Sequence, residues 1–362
     1  MKRFSLIFLG ALVMMIMAGC SKKNLQVTPD EDAWVDDLSL PVPIQFGSSS
    51  FLETKAGGIE SVEDLAGKVL GIYGLAKNGS DWTNGSDDAL LYNERASVSG
   101  GQVNLEGGKK YYPRESDKNF SFYGIYPRFT QAAPSDGGLY VKVGKGSGDN
   151  ESHGLLGSTD IIWAMSEAEL EGGVDGYNAK YMRAIRKAGT YDTKSPSFLF
   201  GHVTAGLKII VAANMDKHNG QNSNSDTDFE VIKIKKVTVK NVHRSGRLCL
   251  AGANAGMVVD LGNPEDVLLM NSSEGVSPTG AGVELGTIYP YPDEEGKYEV
   301  EVEVSNPTET YTVPITTEKL VPGTLTTYKL VFNKLDDVSI KVDGVAWNDV
   351  LDEKEYIEGE DF

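Results

Sequence analysis

The sequence predicts an all-β protein built as sandwiches or barrels, on three observations. Apolar and polar residues alternate over many short stretches, turn residues punctuate those stretches at close intervals, and helical periodicity is nearly absent. The cleanest stretch is Tyr298-Glu299-Val300-Glu301-Val302-Glu303-Val304. On a two-residue period Val300, Val302 and Val304 turn to a core while the three glutamates face water. Ser305-Asn306-Pro307 then turns the chain into Thr310-Tyr311-Thr312-Val313, which makes the two runs a hairpin.

Further strands are expected at 43–46, 69–75, 102–105, 120–126, 139–143, 160–164, 198–212, 229–242, 257–261, 327–332 and 338–342. Helices are few. Residues 179–188 are good helix formers and stop before Gly189, a C′ glycine. Residues 61–67 form a short turn of helix, with Ser61 as N-cap and Asp64 at the fourth position. The longer helix gives way near 190–195 to Pro196 and a long apolar run, so a domain boundary is expected there. It divides the folded part into 38–192 and 193–362, each of ordinary domain size and with a similar number of strands.

The N-terminus sets the compartment. In residues 1–19, Lys2-Arg3 precede an apolar run from Phe4 to Met17, and Ala18-Gly19 stand before Cys20. A basic start, a short apolar centre and small residues at a cut site describe an export signal peptide. The run is too short for a span of about 20 apolar residues. Met17-Ala18-Gly19-Cys20 resembles a bacterial lipobox, which implies a lipoprotein with lipid (palmitate) on Cys20. Cys249 then lacks a partner for a disulfide, and its setting in Leu248-Cys249-Leu250 is that of a small buried hydrophobe. Residues 20–37 are polar and end in Asp30, Glu31, Asp32, Asp36 and Asp37, the composition of a flexible tether.

Charge and composition exclude several functions. The 362 residues carry 34 Lys and Arg against 52 Asp and Glu, a formal charge of −18. Such a surface repels nucleic acid, which is not expected as a partner. Two cysteines and four histidines (His153, His202, His218, His243) show no ligand spacing, so no metal and no cofactor are expected. Gly144-Lys145-Gly146-Ser147-Gly148 lacks the first glycine of a phosphate loop, and glycine follows Lys145 where Ser or Thr must hold magnesium. Asn222, Asn224, Asp226 and Asp228 alternate like a calcium loop, but Thr227 and Lys233 stand where glycine and glutamate are required. No histidine has an adjacent nucleophile with a supporting acid, and the protein is not expected to be an enzyme. Tryptophan and tyrosine at strand spacing read as core before they read as sugar platforms.

Several motifs occur in a recognisable order. Val42-Pro43-Ile44-Gln45-Phe46 is followed by Thr54-Lys55-Ala56, Tyr111-Tyr112-Pro113 and Phe120-Ser121-Phe122-Tyr123-Gly124-Ile125-Tyr126-Pro127. Next come Ser158-Thr159-Asp160-Ile161-Ile162-Trp163-Ala164 and Phe198-Leu199-Phe200-Gly201-His202-Val203-Thr204. Tyr328-Lys329-Leu330-Val331-Phe332, Val338-Ser339-Ile340-Lys341-Val342 and Ala346-Trp347-Asn348 close the series. Over nearly the whole mature chain this resembles the fimbrillin family, lipoprotein subunits of type V pili in Gram-negative anaerobes.

The resemblance implies two tandem transthyretin-like or Ig-like β-sandwich domains and an adhesive surface fimbrium. It also implies export to the outer membrane, proteolysis in the loop after the first strand, and release of that strand with its lipid. A neighbouring subunit's strand then fills the groove, as an unpaired sheet edge with apolar pockets invites. Carried onto this chain, the removable strand is 40–46, with Leu40, Val42, Ile44 and Phe46, and the cut falls at Lys55 in the loop 47–58. Lys55 stands where the family's best-known protease prefers arginine. His202 shares a face with Phe198 and Phe200 and reads as a packed structural histidine. The tail 348–362 is acidic without clean alternation, a poor donor strand, so a minor, tip or anchor subunit stands beside a shaft subunit. The implied partners are other fimbrial subunits, the outer membrane through Cys20, and a host or bacterial surface ligand. The alternative is a surface glycan-binding lipoprotein.

Overall fold

A computed structural model describes residues 32–51, 59–78, 81–82, 89–114, 118–130, 132–135, 137–144, 157–166, 169–170, 174–214, 229–230, 232–292, 297–305, 308–316, 320–334 and 337–343. It is all-β, with two short α-helices among the described residues, α1 (Ala179–Lys187) and α2 (Tyr191–Lys194). No described helix is long and apolar enough to cross a membrane. The leader, Cys20, Lys55, the Gly144–Gly148 loop past Gly144, the 222–228 run and the tail 348–362 lie outside the described residues.

The largest sheet runs Leu199–His202, Ile162–Ser166, Phe120–Tyr126, Leu70–Asn78, Leu91–Ser99, Gln102–Leu105, each antiparallel to its neighbour. Phe120–Tyr126 lies at its centre and is covered on both faces, hence an almost unbroken apolar run in place of alternation. On one face Ile72 and Phe122 join a core with α1 and the N-terminal residues Trp34, Val42, Ile44 and Phe46. On the other, Tyr73, Tyr123 and Ile125 pack on Val141, Val143, Leu248 and Leu250 of a second, smaller sheet. That sheet orders Val258–Val259, Gly246–Ala251, Gly138–Val143 and Ala132–Ser135.

The second body is a sandwich of two four-stranded sheets. One orders Val283–Ile288, Gly206–Ala213, Leu325–Lys334 and Asp337–Asp343; the other orders Pro264–Val276, Lys233–His243, Lys297–Ser305 and Glu309–Thr316. The hairpin expected after Val304 is present, with Val302 opposite Tyr311 and Val300 opposite Val313. Val300 and Val302 are buried between the sheets with Ile209, Val211 and Leu330. The glutamates of the same strand meet cations across the sheet, Glu301 with Lys240 and Glu303 with Lys236, both at 2.6 Å.

Three expectations need correction. The run 198–212 is two strands, Leu199–His202 in the large sheet and Gly206–Ala213 in the second body, so the chain crosses between bodies at 203–205. A division at 192/193 therefore does not follow the cores: Leu199–His202 and Gly246–Ala251 both belong with the N-terminal sheets. Alternation marks a strand but not the sheet it joins. Residues 32–37, expected as tether, instead form the 3-10 turn Ala33–Val35 and bury Trp34.

The helical signal of α1 holds, while the expected turn 61–67 is only the 3-10 turn Glu63–Leu65, with Val62 and not Ser61 at its N-cap. Asn178 Oδ1 accepts from Tyr181 N at 2.8 Å to cap α1, and Gly189 takes φ 70°, a left-handed conformation that ends it. Around the turn Glu63–Leu65, Asp64 Oδ2 accepts from Ser61 N at 2.9 Å while Ser61 Oγ accepts from Asp64 N at 3.3 Å, a reciprocal box. Cys249 is buried, its thiol donates to Ala251 O at 3.3 Å, and burial pushes its pKa up. The second sandwich stands on its inner valines and isoleucines. Ile209→Ala is expected to lower its unfolding free energy by about 2–5 kcal/mol, checked by denaturant unfolding.

Candidate functional site

The removable strand expected from the sequence lies in the N-terminal segment, whose seating can be built residue by residue. Val42, Ile44 and Phe46 are 1%, 6% and 7% exposed and Gln45 faces water, but Pro43 is buried as well, so the alternation is only partly realised. Leu40 is half-buried and packs on the same core. Phe46 sits edge-on to Phe122 at 5.3 Å and lies 4.9 Å from Phe198.

The backbone departs from expectation. Residues 40–46 are extended but do not form a ladder; they make one isolated bridge, Pro43 to Tyr111. Pro41 and Pro43 have no N–H, and alternate residues of an extended chain aim their donors at the same side, so one edge of the segment lacks two donors for a further strand. The opposite edge still bonds: Ile44 N donates to Lys110 O at 2.8 Å and Val42 O accepts from Tyr112 N at 2.9 Å. Further on, Gly47 N donates to Pro196 O at 2.7 Å and Ser49 N to Gly101 O at 2.8 Å. Ser50–Phe51 then lies parallel to Leu199–His202. Burying the three side chains contributes roughly 5–9 kcal/mol. Scattered backbone bonds worth about 1 kcal/mol net apiece contribute no more.

A second fastening lies upstream. Helix α1 buries Ala179, Met182 and Ile185 and turns a basic face to residues 32–40. Arg186 holds Asp32 with two bonds, Nε to Oδ1 at 3.0 Å and Nη2 to Oδ2 at 2.7 Å, and this hydrogen bond raises the Arg186 pKa. Lys187 pairs with Asp36 at 3.1 Å. Arg183 donates to the carbonyls of Asp37 at 3.1 Å and Leu40 at 2.6 Å, and Arg114 donates to that of Ser39. Between these charges Trp34 is buried. The acidic cluster that reads as tether is thus half of a clasp.

The described residues on either side of 52–58 are held at one place. Before it, the Phe51 ring lies 5.7 Å from Phe200 and 5.8 Å from His202. After it, Ile59 N donates to Asp160 Oδ2 at 3.3 Å, and Asp160 Oδ1 meets His202 Nδ1 at 2.9 Å and Thr204 Oγ1 at 3.2 Å. Phe198, Phe200 and His202 are all buried, as their alternation implies. Among the described residues no group of three His, Cys, Asp or Glu stands close enough to hold a metal. Trp34 is buried and Trp163 is half-buried with Nε1 donating to Leu250 O at 3.1 Å, so neither forms an open sugar platform.

Two outcomes are expected. Trp34→Ala should speed hydrogen exchange at the Val35, Asp37 and Leu40 amides about a hundredfold, the order expected for losing a buried aromatic ring. Arg186→Ala should do so by about tenfold at most, and less in high salt, because the pair with Asp32 is partly exposed. Acid acts through Asp37 and Asp64. The Ser39 hydroxyl holds the Asp37 carboxyl below its ordinary value of 3.8, and the Glu60 amide and Ser61 hydroxyl do the same for Asp64. A depressed folded pKa gives stability that is present above the unfolded value and lost as pH falls through the folded one. Both turns should therefore stay intact from neutral pH down to about 4 and loosen below it, read from carboxyl NMR titration.

Comparison with known families matches residues 63–347 to the family described as fimbrillin-like. Comparison with curated proteins finds no match. Similar solved structures include a candidate cell adhesion protein from Bacteroides uniformis, with 16% identity and TM-score 0.49 over 84% of this chain and 98% of that one. A fimbrial assembly protein from Parabacteroides distasonis shares 14% identity, TM-score 0.40, over 83% and 96%. The fimbrial anchor protein Mfa2 from Porphyromonas gingivalis shares 8%, TM-score 0.37, over 85% and 99%. The family match spans most of the chain, and the protein belongs to the fimbrillin-like family: a structural subunit of a cell-surface fimbrium, assembled with other subunits, and not an enzyme.

Proposed function

We propose that residues 32–51 are a releasable plug and that fimbrial assembly proceeds by replacing them with a strand of another subunit. The observation that carries this reading is the burial of Val42, Ile44 and Phe46 in the core of the large sheet, on a run, 40–46, that makes a single bridge, with a further bridge at Ser48 and the short pair Ser50–Phe51 following it. Such an element is held mainly by apolar pockets, and its departure leaves pockets and carbonyls that an extended chain can fill. In this reading the precursor is exported on its leader, lipidated at Cys20 and tethered to the outer membrane. A protease then cuts at Lys55, between the anchors at Phe51 and Ile59, and lipid and plug leave together. Whether the chain serves as a shaft, tip or anchor subunit depends on the donor quality of its acidic tail.

Trypsin treatment of the purified precursor is expected to cut first near Lys55 and to be followed by polymers on size exclusion. Lys55→Gln should block the cut and the polymers together. A chain that is cut there yet keeps residues 32–51 bound and stays monomeric would remove the strand-exchange reading.

A further inference from the structure

Residues 44–48 and the strand Gln102–Leu105 are joined at both ends and part in the middle. Ser49 N donates to Gly101 O and Ser48 bridges Gln102 at one end, while Ile44 N donates to Lys110 O at the other. The short run on one side cannot follow the longer run on the other, and a cleft of about 790 Å³ opens between them. That is within the usual size of small-molecule sites. The start of α2 and the residues just after it, Tyr191, Asp192 and Ser195, form the third wall.

The cleft presents polar groups of both kinds. Gln102–Leu105 bonds to Leu91–Ser99, with Glu106 N donating to Arg95 O, so by alternation the backbone groups of Val103 and Leu105 turn the other way; the bridge of Ser48 with Gln102 engages Val103, and Leu105 faces the cleft. The amides of Gln45, Gln102 and Asn104, the Lys109 ammonium and the Asp192 carboxylate are exposed around it. Tyr191 OH donates to Gln45 Oε1 at 3.2 Å and sets that amide's position. Ser195 is 5% exposed, and its buried Oγ has no hydrogen-bond partner among the described residues. An unmade bond of this kind costs about 1–3 kcal/mol, so a buried hydroxyl in a cleft wall is a group awaiting a partner. The hydroxyl lies against residue 47, which is glycine: a Cβ there would stand 2.7 Å from Ser195 Oγ and push it away.

We propose that this cleft binds a short neutral saccharide, a mono- or disaccharide unit. One ammonium and one carboxylate cancel, so the lining selects neither an anion nor a cation, and its polar walls do not suit an apolar ligand. Amides, a carboxylate, a hydroxyl and open backbone groups together match ring hydroxyls, each of which donates and accepts. An extended peptide is disfavoured because the cleft is sealed by hydrogen bonds at both ends, so no strand can run through it. The site requires residues 44–48 in place. It therefore stands apart from the plug reading and belongs to the chain before any release.

The test titrates the uncut full chain with lactose, cellobiose, maltose and N,N′-diacetylchitobiose, following backbone amide NMR shifts. At least one is expected to bind with a Kd of about 1 mM or tighter and to shift Gly47, Val103 and Leu105. The exposed-site changes Asn104→Ala and Asp192→Ala should each weaken it several-fold. Ser195→Ala should weaken it too without lowering the melting temperature, since the change removes an unpaired buried hydroxyl. Absence of binding by all four sugars, shifts confined to other residues, or binding indifferent to Asn104→Ala and Asp192→Ala would overturn the proposal. So would a peptide of residues 348–362 that produced these shifts in place of the sugars.

Discussion

Val42, Ile44 and Phe46 enter the core of the large sheet on a backbone that lacks donors at Pro41 and Pro43, and the N-terminal body is organised around that mismatch. The side chains demand a place in the sheet's apolar face, while the missing N–H groups leave one edge of the segment short of donors; its bonding lies on the edge that meets Lys110 and Tyr112. It is held by other means at each end: the Trp34 clasp on α1 upstream and the parallel pair of Ser50–Phe51 with Leu199–His202 downstream. Helix α1 has its position for the same reason. Its apolar stripe covers the core that the segment leaves open, and its outer cations meet the segment's acids.

The pair His202–Asp160 gives the downstream end its geometry. A buried carboxylate is costly unless its oxygens are bonded, and Asp160 spends both, one on His202 and Thr204 and the other on the Ile59 amide. The residues on either side of 52–58 are thereby brought to one spot, because Phe51 stacks where His202 stands. The histidine is thus structural in a specific sense: it fixes the positions of Phe51 and, through Asp160, of Ile59. The second sandwich makes no such demand. Its valine-for-core, glutamate-for-solvent strand is complete in itself and pairs on both sides.

What could be read from the sequence was whatever is encoded locally. The hairpin around Val304, the cap and stop of α1, the Ser61–Asp64 box and the buried face of Phe198, Phe200 and His202 all follow from residue spacing. Leu91–Ser99 was not legible, because it is polar and kinked, with Asn93 at φ 53° and a register shift opposite it. Pro264–Val276 was not either, since an edge strand with shifting register and mostly exposed residues shows no clean period. The clasp was misread because composition cannot distinguish acids that face water from acids that face Arg183 and Arg186. The cleft was invisible for a different reason: it arises from two runs of unequal length joined at their ends, and its key group, Ser195, is notable only for the bond it does not make. Sheet membership was the largest gap, as the sequence of strands says nothing about a chain that leaves the second body at His243 to add Gly246–Ala251 to the first.

The strength of the seat bears on what a cut in the loop can do. While 52–58 is intact, the segment rebinds at the high effective concentration of a short tether, so even modest local opening is quickly reversed. A cut turns the same equilibrium into dissociation of two chains. Interactions of roughly 5–9 kcal/mol correspond to dissociation constants between about millimolar and below micromolar. Under the strand-exchange proposal, a segment so held would stay seated in the intact chain and become exchangeable after a cut, whereas a full ladder on both edges would bind too tightly to leave. In that proposal the prolines at 41 and 43, by removing donors while sparing the side chains, would hold the seat's strength in the range where a covalent cut decides between staying and leaving. The clasp adds to that strength through partly exposed charges, which places the balance under the influence of ionic strength outside the cell.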